Sequence, residues 1–199
     1  MDWPKTIASE AKTNALIRVD EYARRYGLST RAVNAALRRQ GAKGLVERVA
    51  NKIYINKLAK DFSPRDLLSA LRPDSYVSLD SALSDFGVTT QVPYTLTCVS
   101  PKYVRNIESK TIQITFRTLK KGLYWGFTTK KTRYGAYNLA EPEKALLDWI
   151  YFKSRDGLPI ELDEIHIGGL DRQRLLEGAS KFSAPVRNWV LSLLAERSG

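Results

Sequence analysis

A chain of 199 residues, 43% of them hydrophobic, can bury one large core or two small ones without covalent staples. Its one cysteine, Cys98, excludes an internal disulfide and a multi-thiolate zinc site, and no apolar run approaches the roughly 20 residues that a membrane-spanning helix requires. The formal net charge of +11 is unevenly placed: Met1 to Lys60 hold 13 Lys and Arg against 5 Asp and Glu, so +8 of the total sits in that stretch, a field that favours a polyanionic partner.

The opening Met1-Asp2-Trp3-Pro4-Lys5 lacks the basic start and apolar core of a signal peptide, so a cytoplasmic protein is expected. Thr6 to Leu16 predicts a helix with Ile7, Ala11, Ala15 and Leu16 along one side. Val19 to Tyr26 predicts a second, because Val19, Tyr22, Ala23 and Tyr26 recur at three- and four-residue spacing and leave Arg24 and Arg25 facing water or phosphate. Gly27 stands where the chain must turn left-handed to leave that helix, and Leu28 is expected to plug the angle to the next one. Ser29 or Thr30 can cap a third helix running to about Gln40, with Gly41 as its stop. Val33, Ala36 and Leu37 point inward; Thr30, Arg31, Asn34, Ala35 and Arg38 make the opposite face, a set of short polar, small and guanidinium groups able to approach base edges and phosphates.

Beyond Gly41, Ala42-Lys43-Gly44 leads into Leu45 to Val49 and, after Ala50-Asn51-Lys52, into Ile53-Tyr54-Ile55, two short strands with Lys52 at the tip. The order of helix, tight turn, helix and basic hairpin is that of a winged helix-turn-helix, closed near residue 61. Candidate contacts to DNA are therefore Arg24, Arg25, Thr30, Arg31, Asn34, Arg38, Lys43, Arg48 and Lys52. The plainer alternative is a small three-helix domain whose charges form a solvated face.

Residues 62–199 make the second domain. Phe62-Ser63-Pro64 opens it, since the residue before a proline avoids helix while Pro64 suits a first helical turn. Helices are predicted over Pro64 to Leu71 and Leu79 to Phe86, the latter stopped by Gly87. Val92 to Ser100, which holds Cys98 as a buried structural thiol, and Thr111 to Leu119 show strand character. In the second, Ile112, Ile114 and Phe116 alternate with Gln113, Thr115 and Arg117. Leu123 to Thr128 and Gly135 to Leu139 supply two further strands around a basic turn, Thr129 to Arg133. A small, mainly antiparallel sheet is expected. Pro142 then starts a strong helix with Ala145, Leu146, Trp149 and Ile150 inward and the carboxylates of Glu141 and Glu143 near its positive end. Amphipathic helices over Leu170 to Phe182 and Pro185 to Ala195 finish an α+β fold.

Three blocks in this second part, Tyr76 to Gly87 (YVSLDSALSDFG), Cys98-Val99-Ser100 with Phe116 to Leu119, and Ala140 to Asp148 (AEPEKALLD), resemble in order and spacing the AbiEi family of antitoxins. The resemblance covers nearly the whole chain. It implies an N-terminal winged helix-turn-helix before a C-terminal antitoxin domain. It also implies repression of the protein's own operon through promoter repeats on double-stranded DNA, and opposition to a nucleotidyltransferase-type toxin with no stable complex required. A monomer in solution is compatible with it.

No enzymatic chemistry is expected. Glu141 and Glu143 lie two apart and do not share a helical face; His166, the sole histidine, has no nucleophile or ligand set around it; Gly168-Gly169 is too short to cradle a phosphate. No cofactor or metal follows. A second basic stretch runs from Ser100 to Gly135, where Lys102, Arg105, Lys110, Arg117, Lys120, Lys121, Lys130, Lys131 and Arg133 face one acid, Glu108, with Tyr103, Tyr124, Trp125 and Tyr134 interleaved. It reads either as a solvated sheet face or as a surface for DNA backbone, RNA or an acidic protein. The last two define the alternative of a winged-helix interaction module.

Overall fold

The computed structural model describes residues 1–161 and 165–196; the last three positions of the expected second domain lie outside the described residues. The fold is mixed α+β, and its contacts divide the chain into two units. The first comprises Met1–Pro73 with two later excursions, Asn106–Gln113 and Lys131–Ala136; the second comprises Asp74–Arg105, Ile114–Lys130 and Tyr137–Gly199. The division at Pro73 differs from the expected break near residue 61. A short 3-10 turn over Pro64–Leu67, closed by a Ser63/Asp66 capping box, runs into α4 (Leu68–Leu71). This segment is tied back to the first unit, since the Arg18 guanidinium donates to the Ala70 carbonyl at 3.1 Å.

In the first unit, α1 (Trp3–Glu10) is capped by the Asp2 side chain and ends before Leu16. The helix expected to reach Leu16 is thus shorter, because Leu16–Arg18 forms β1 instead. Three residues carry no usable periodicity; β1 exists because it pairs antiparallel with a strand far along the chain, Leu16 opposite Ile55 and Arg18 opposite Ile53. Then come α2 (Val19–Tyr26), which Gly27 ends at φ 61°, and α3 (Thr30–Ala42), capped by the Ser29 hydroxyl accepting from the Ala32 N–H. Gly41 does not stop α3; the chain turns at Gly44, φ 76°. Strands β2 (Val46–Ala50) and β3 (Ile53–Asn56) follow, giving a three-stranded sheet of order β1-β3-β2. Ile7, Ile17, Val19, Tyr22, Val33, Leu37, Val46 and Tyr54 form its core. Leu28, expected to plug the interhelical angle, is instead exposed.

Two polar contacts lock this core. The buried Asn56 donates its side-chain N–H to the Ile7 carbonyl at 2.8 Å and accepts from the Leu58 N–H. The Glu10 carboxylate receives the Tyr22 hydroxyl, the Tyr26 hydroxyl at 2.8 Å and the Arg25 guanidinium at 2.8 Å. Burial alone would raise the Glu10 carboxyl; the tyrosine hydrogen bonds and the Arg25 charge outweigh it and hold it below its usual value.

In the second unit, β4 (Tyr76–Val77), α5 (Leu79–Asp85), β5 (Leu96–Ser100), β7 (Gln113–Thr118), β8 (Phe127–Lys131), β9 (Ala136–Ala140), α6 (Pro142–Asp156), α7 (Arg172–Ala179) and α8 (Ala184–Glu196) appear in chain order. The strand order is β6-β7-β5-β4-β9-β8, with β6 (Ile107–Glu108) counted in the first unit. The sheet is mixed, against the mainly antiparallel expectation: β4 runs antiparallel to β5 but parallel to β9, and β5 runs parallel to β7. Both parallel pairs join strands that do not follow each other in sequence, β5 with β7 and β4 with β9, so the chain must return before each can form. Lys130 and Lys131 belong to β8, so the expected basic turn is shorter and starts later. Cys98 is fully buried in β5.

The least expected feature is on α6. Lys144 and Asp148, one helical turn apart, are both wholly buried and joined as an ion pair. Asp148 also accepts from the Tyr76 hydroxyl at 2.8 Å and the Ser78 hydroxyl at 2.9 Å. The Lys144 ammonium donates to Tyr76 and lies about 5 Å from the rings of Trp125 and Phe182. Gly126, at φ 72°, makes room for it, since a β-carbon there would stand 3.1 Å from Lys144. Burial pushes the ammonium below and the carboxyl above their ordinary ranges, and each is opposed by its partner. Removing one member leaves a charge without its counter-ion. Lys144→Met is expected to cost about 3 to 5 kcal/mol of stability. Lys144→Met with Asp148→Asn should recover most of that, since the asparagine oxygen still accepts from Tyr76 and Ser78; urea denaturation of both variants measures the difference.

Glu10 gives a second expectation. A carboxyl whose pKa is depressed on folding stabilises above its unfolded value, about 4.3, and that contribution is lost as pH falls toward the folded value. Glu10→Gln should lower Tm at neutral pH and flatten its fall below about pH 4.5, read by thermal unfolding across pH.

Candidate nucleic-acid interface

The sequence-derived contact residues all lie in the first unit, and α3 carries the central ones. Thr30, Arg31, Ala35 and Arg38 are exposed along it, with Val33, Ala36 and Leu37 buried behind them. Arg31 and Arg38 are two turns apart on one face, roughly 10 Å along the axis at about 1.5 Å per residue. Arg39 is exposed beside them and was not anticipated. Among the described residues, none of these three guanidiniums is engaged by a hydrogen bond or an ion pair.

The other predicted contacts are more committed. Asn34 is only half exposed, and its side-chain oxygen accepts the Tyr54 hydroxyl at 2.7 Å, fastening α3 to β3. Arg25 is held by Glu10 and leans on the Tyr22 ring. Arg24 reaches back to the Asp20 carbonyl at 3.4 Å. Lys52 does sit in the tight turn between β2 and β3, at φ 58°, yet its ammonium pairs with Asp20 at 3.0 Å and its carbonyl accepts the Val19 N–H. The hairpin tip is therefore tied to the start of α2. An exposed pair of that kind is worth at most about 1 kcal/mol and yields readily to a phosphate. Arg48 bends back to the Ala50 carbonyl and the Asn51 side chain at 3.3 and 3.4 Å, and Lys43 is exposed at the end of α3.

Next to the exposed face of α3 lies a groove of about 530 Å³, lined by Arg38, Gly41, Gly44, Val46, Glu47, Arg48, Tyr54, Lys57 and Lys110. Four cations border it; Lys57 carries no sequence signal that singles it out, and Lys110 is marked in the sequence only as part of the 100–135 basic stretch. Its one carboxylate, Glu47, is occupied: the Thr111 N–H at 3.2 Å and the Thr111 hydroxyl both donate to it, and Lys57 stands 4.0 Å away. Burial works against the ionised form, but these hydrogen bonds keep the Glu47 carboxyl below its usual value.

The stretch from Ser100 to Gly135 is shared between the two units. Lys110, Lys131 and Arg133 belong to the first unit; Lys102, Arg105, Arg117, Lys120, Lys121 and Lys130 belong to the second. Within the second, β7 with Arg117 and β8 with Lys130 are separated by β5, β4 and β9, roughly 19 Å at about 4.8 Å per strand. Lys102 pairs with Asp74 at 3.0 Å, Arg117 with Asp156 at 2.5 Å and Arg133 with Asp61 at 3.0 Å. Of the interleaved aromatics, Tyr124 donates to the Asp74 carbonyl, Tyr134 donates to the Lys60 carbonyl and Trp125 packs on Phe182, so only Tyr103 is left as an open ring.

Glu141 at the N-cap position and Glu143 in the first turn do stand at the positive end of α6, but the Glu141 side chain does not cap it. Glu143, nearly buried, accepts the Asp171 N–H at 2.8 Å, linking α6 to the start of α7. Among the described residues no group of three or more His, Cys, Asp and Glu side chains comes together as a metal would require, and no helix is long and apolar enough to cross a membrane. Compared with known proteins, the chain matches no family model and no curated protein.

The roles on α3 separate experimentally. Arg31→Ala and Arg38→Ala should leave thermal stability unchanged. Asn34→Ala should lower it by about 1 to 3 kcal/mol, because the buried Tyr54 hydroxyl loses its acceptor.

Proposed function

We propose that this protein binds double-stranded DNA through a winged helix-turn-helix formed by α2, α3 and the β2–β3 hairpin, with α3 as the reading helix. The supporting observation is the face of α3. Arg31, Arg38 and Arg39 are exposed there and uncommitted, on a helix that directly follows a glycine turn and precedes a basic hairpin. A major groove about 12 Å wide admits such a helix, and an arginine paired to guanine contributes about 1 to 3 kcal/mol of discrimination. Thr30, at the first position of α3, is placed as recognition-helix residues near the N-terminus are.

We further propose, on the resemblance of the Tyr76–Gly87 and Ala140–Asp148 blocks, that the protein is an antitoxin that represses its own operon and opposes a nucleotidyltransferase-type toxin. In this reading the second unit supplies antitoxin action without enzymatic chemistry. The polar members of its AEPEKALLD block are used inside the fold, Glu143 on Asp171 and Lys144 on Asp148. Binding of RNA or a protein partner through the 100–135 cations is disfavoured by the partners several of them already hold, Asp74 on Lys102, Asp156 on Arg117 and Asp61 on Arg133.

Gel-shift with the protein's own upstream DNA tests the first proposal: Arg31→Ala or Arg38→Ala should weaken binding by about 1 to 3 kcal/mol, while equal affinity in both variants would remove α3 as the reading helix. Growth rescue of cells expressing the neighbouring toxin gene tests the second. The Glu141→Gln variant, whose carboxylate makes no cap, should rescue as the wild type does; loss of rescue in a folded protein would assign that carboxylate a direct role.

A further inference from the structure

The groove beside α3 is built from separated parts of the chain. Arg38 comes from α3, Arg48 from β2, Lys57 from the end of β3, and Lys110 from the 106–113 excursion, which is more than fifty positions further along. All four are exposed, so none is consumed by a buried ion pair. The excursion is held in the first unit by an identifiable latch, the two hydrogen bonds from Thr111 to the Glu47 carboxylate. That latch engages both oxygens of the Glu47 carboxylate, the one negative charge at the site, and Lys57 stands 4.0 Å from it as a counter-charge. Lys110, one residue before the latch, is delivered to the rim.

Resting on the reading of α3 as a duplex-binding helix, we propose that this groove seats backbone phosphates of the same duplex, with Lys110 and Lys57 as phosphate-contacting residues. Thr111 is then a positioning residue. Arg38 stands both on the reading face and on the groove rim, so a strand whose bases face α3 carries its phosphates past Arg38 toward Arg48, Lys57 and Lys110. The charged groups of the lining are ammonium and guanidinium groups beside a Glu47 carboxylate held by Thr111, a set suited to phosphates, so the seat contributes affinity without sequence preference. Nucleic-acid binding in this protein is thereby not confined to its first sixty residues.

The test uses the full chain: wild type, Lys110→Gln, Thr111→Val and Arg31→Ala, titrated with the promoter duplex and with a scrambled duplex of equal length between about 50 and about 200 mM salt. Lys110→Gln should reduce the slope of log affinity against log salt by about 0.9 on both duplexes. Across that fourfold range the wild type then loses about 3-fold more affinity than the variant. Thr111→Val should show part of the same slope change in a protein that stays folded at the assay temperature, which a merely structural role would not produce. Arg31→Ala should weaken the promoter duplex selectively. If the wild type binds and Arg31→Ala behaves so, an unchanged slope in Lys110→Gln overturns the phosphate seat and leaves the reading helix standing. If the wild type binds neither duplex, both fall. A competition arm with inorganic pyrophosphate at constant ionic strength separates the two sources of phosphate: weak displacement is expected, whereas micromolar displacement abolished by Lys110→Gln would assign the groove to a free phosphate-bearing molecule and overturn its role on DNA.

Discussion

Four residues of β3 hold the first unit together. Ile53, Tyr54 and Ile55 pair on one side with β1, and the strand pairs on the other with β2. The Tyr54 hydroxyl fastens α3 through Asn34, and the Asn56 side chain fastens α1 through the Ile7 carbonyl. The constraint is geometric: a central strand has its backbone satisfied from both flanks, while its alternate residues Tyr54 and Asn56 reach α3 and α1 from one face. The exposed face of α3 is consequently oriented by contacts that lie wholly behind it, which separates what positions the face from what it presents.

Legibility in the sequence tracks the range of the interaction. The helices α2 and α3, the left-handed Gly27 and the Ser29 cap were all readable, because each is decided within one or two turns of chain. β1 was not, since Leu16-Ile17-Arg18 becomes a strand only through partners some forty positions away. The mixed sheet was missed for the same reason: alternation in Ile112 to Arg117 reports a half-buried strand and is silent on its neighbours. Placement of charge was the least legible. Thirteen cations can be counted in sixty residues, but that Arg25 is spent on Glu10, and that Lys110 joins the first unit, depends on contacts no local pattern encodes.

Lys144 shows the same limit in reverse. On an amphipathic helix a lysine reads as solvent-facing, yet here Asp148 one turn on and rings from Tyr76, Trp125 and Phe182 enclose it. Replacing such a pair by apolar side chains is often neutral or stabilising, so its presence is explained less by stability than by specification. A Lys–Asp pair with two hydroxyl donors admits one arrangement of α6 against β4, where leucines would admit several. Glu143 on the Asp171 N–H acts likewise between α6 and α7. Glu143, Lys144 and Asp148 are thus internal fasteners.

The two excursions, 106–113 and 131–136, have a kinetic meaning. A protein emerging from the ribosome would present Met1–Pro73 first, but that stretch lacks the Thr111 latch on Glu47 and the Tyr134 hydroxyl on the Lys60 carbonyl until the chain has passed residue 136. Closing contacts of such sequence separation is slow relative to local helix formation. The helical part of the first unit can form early, while its groove and these two contacts wait for the chain that supplies Thr111 and Tyr134. The two units are consequently not successive folding events along a linear chain: maturation of the N-terminal surface is gated by synthesis of most of the protein, so a polypeptide interrupted in mid-translation displays an unfinished one.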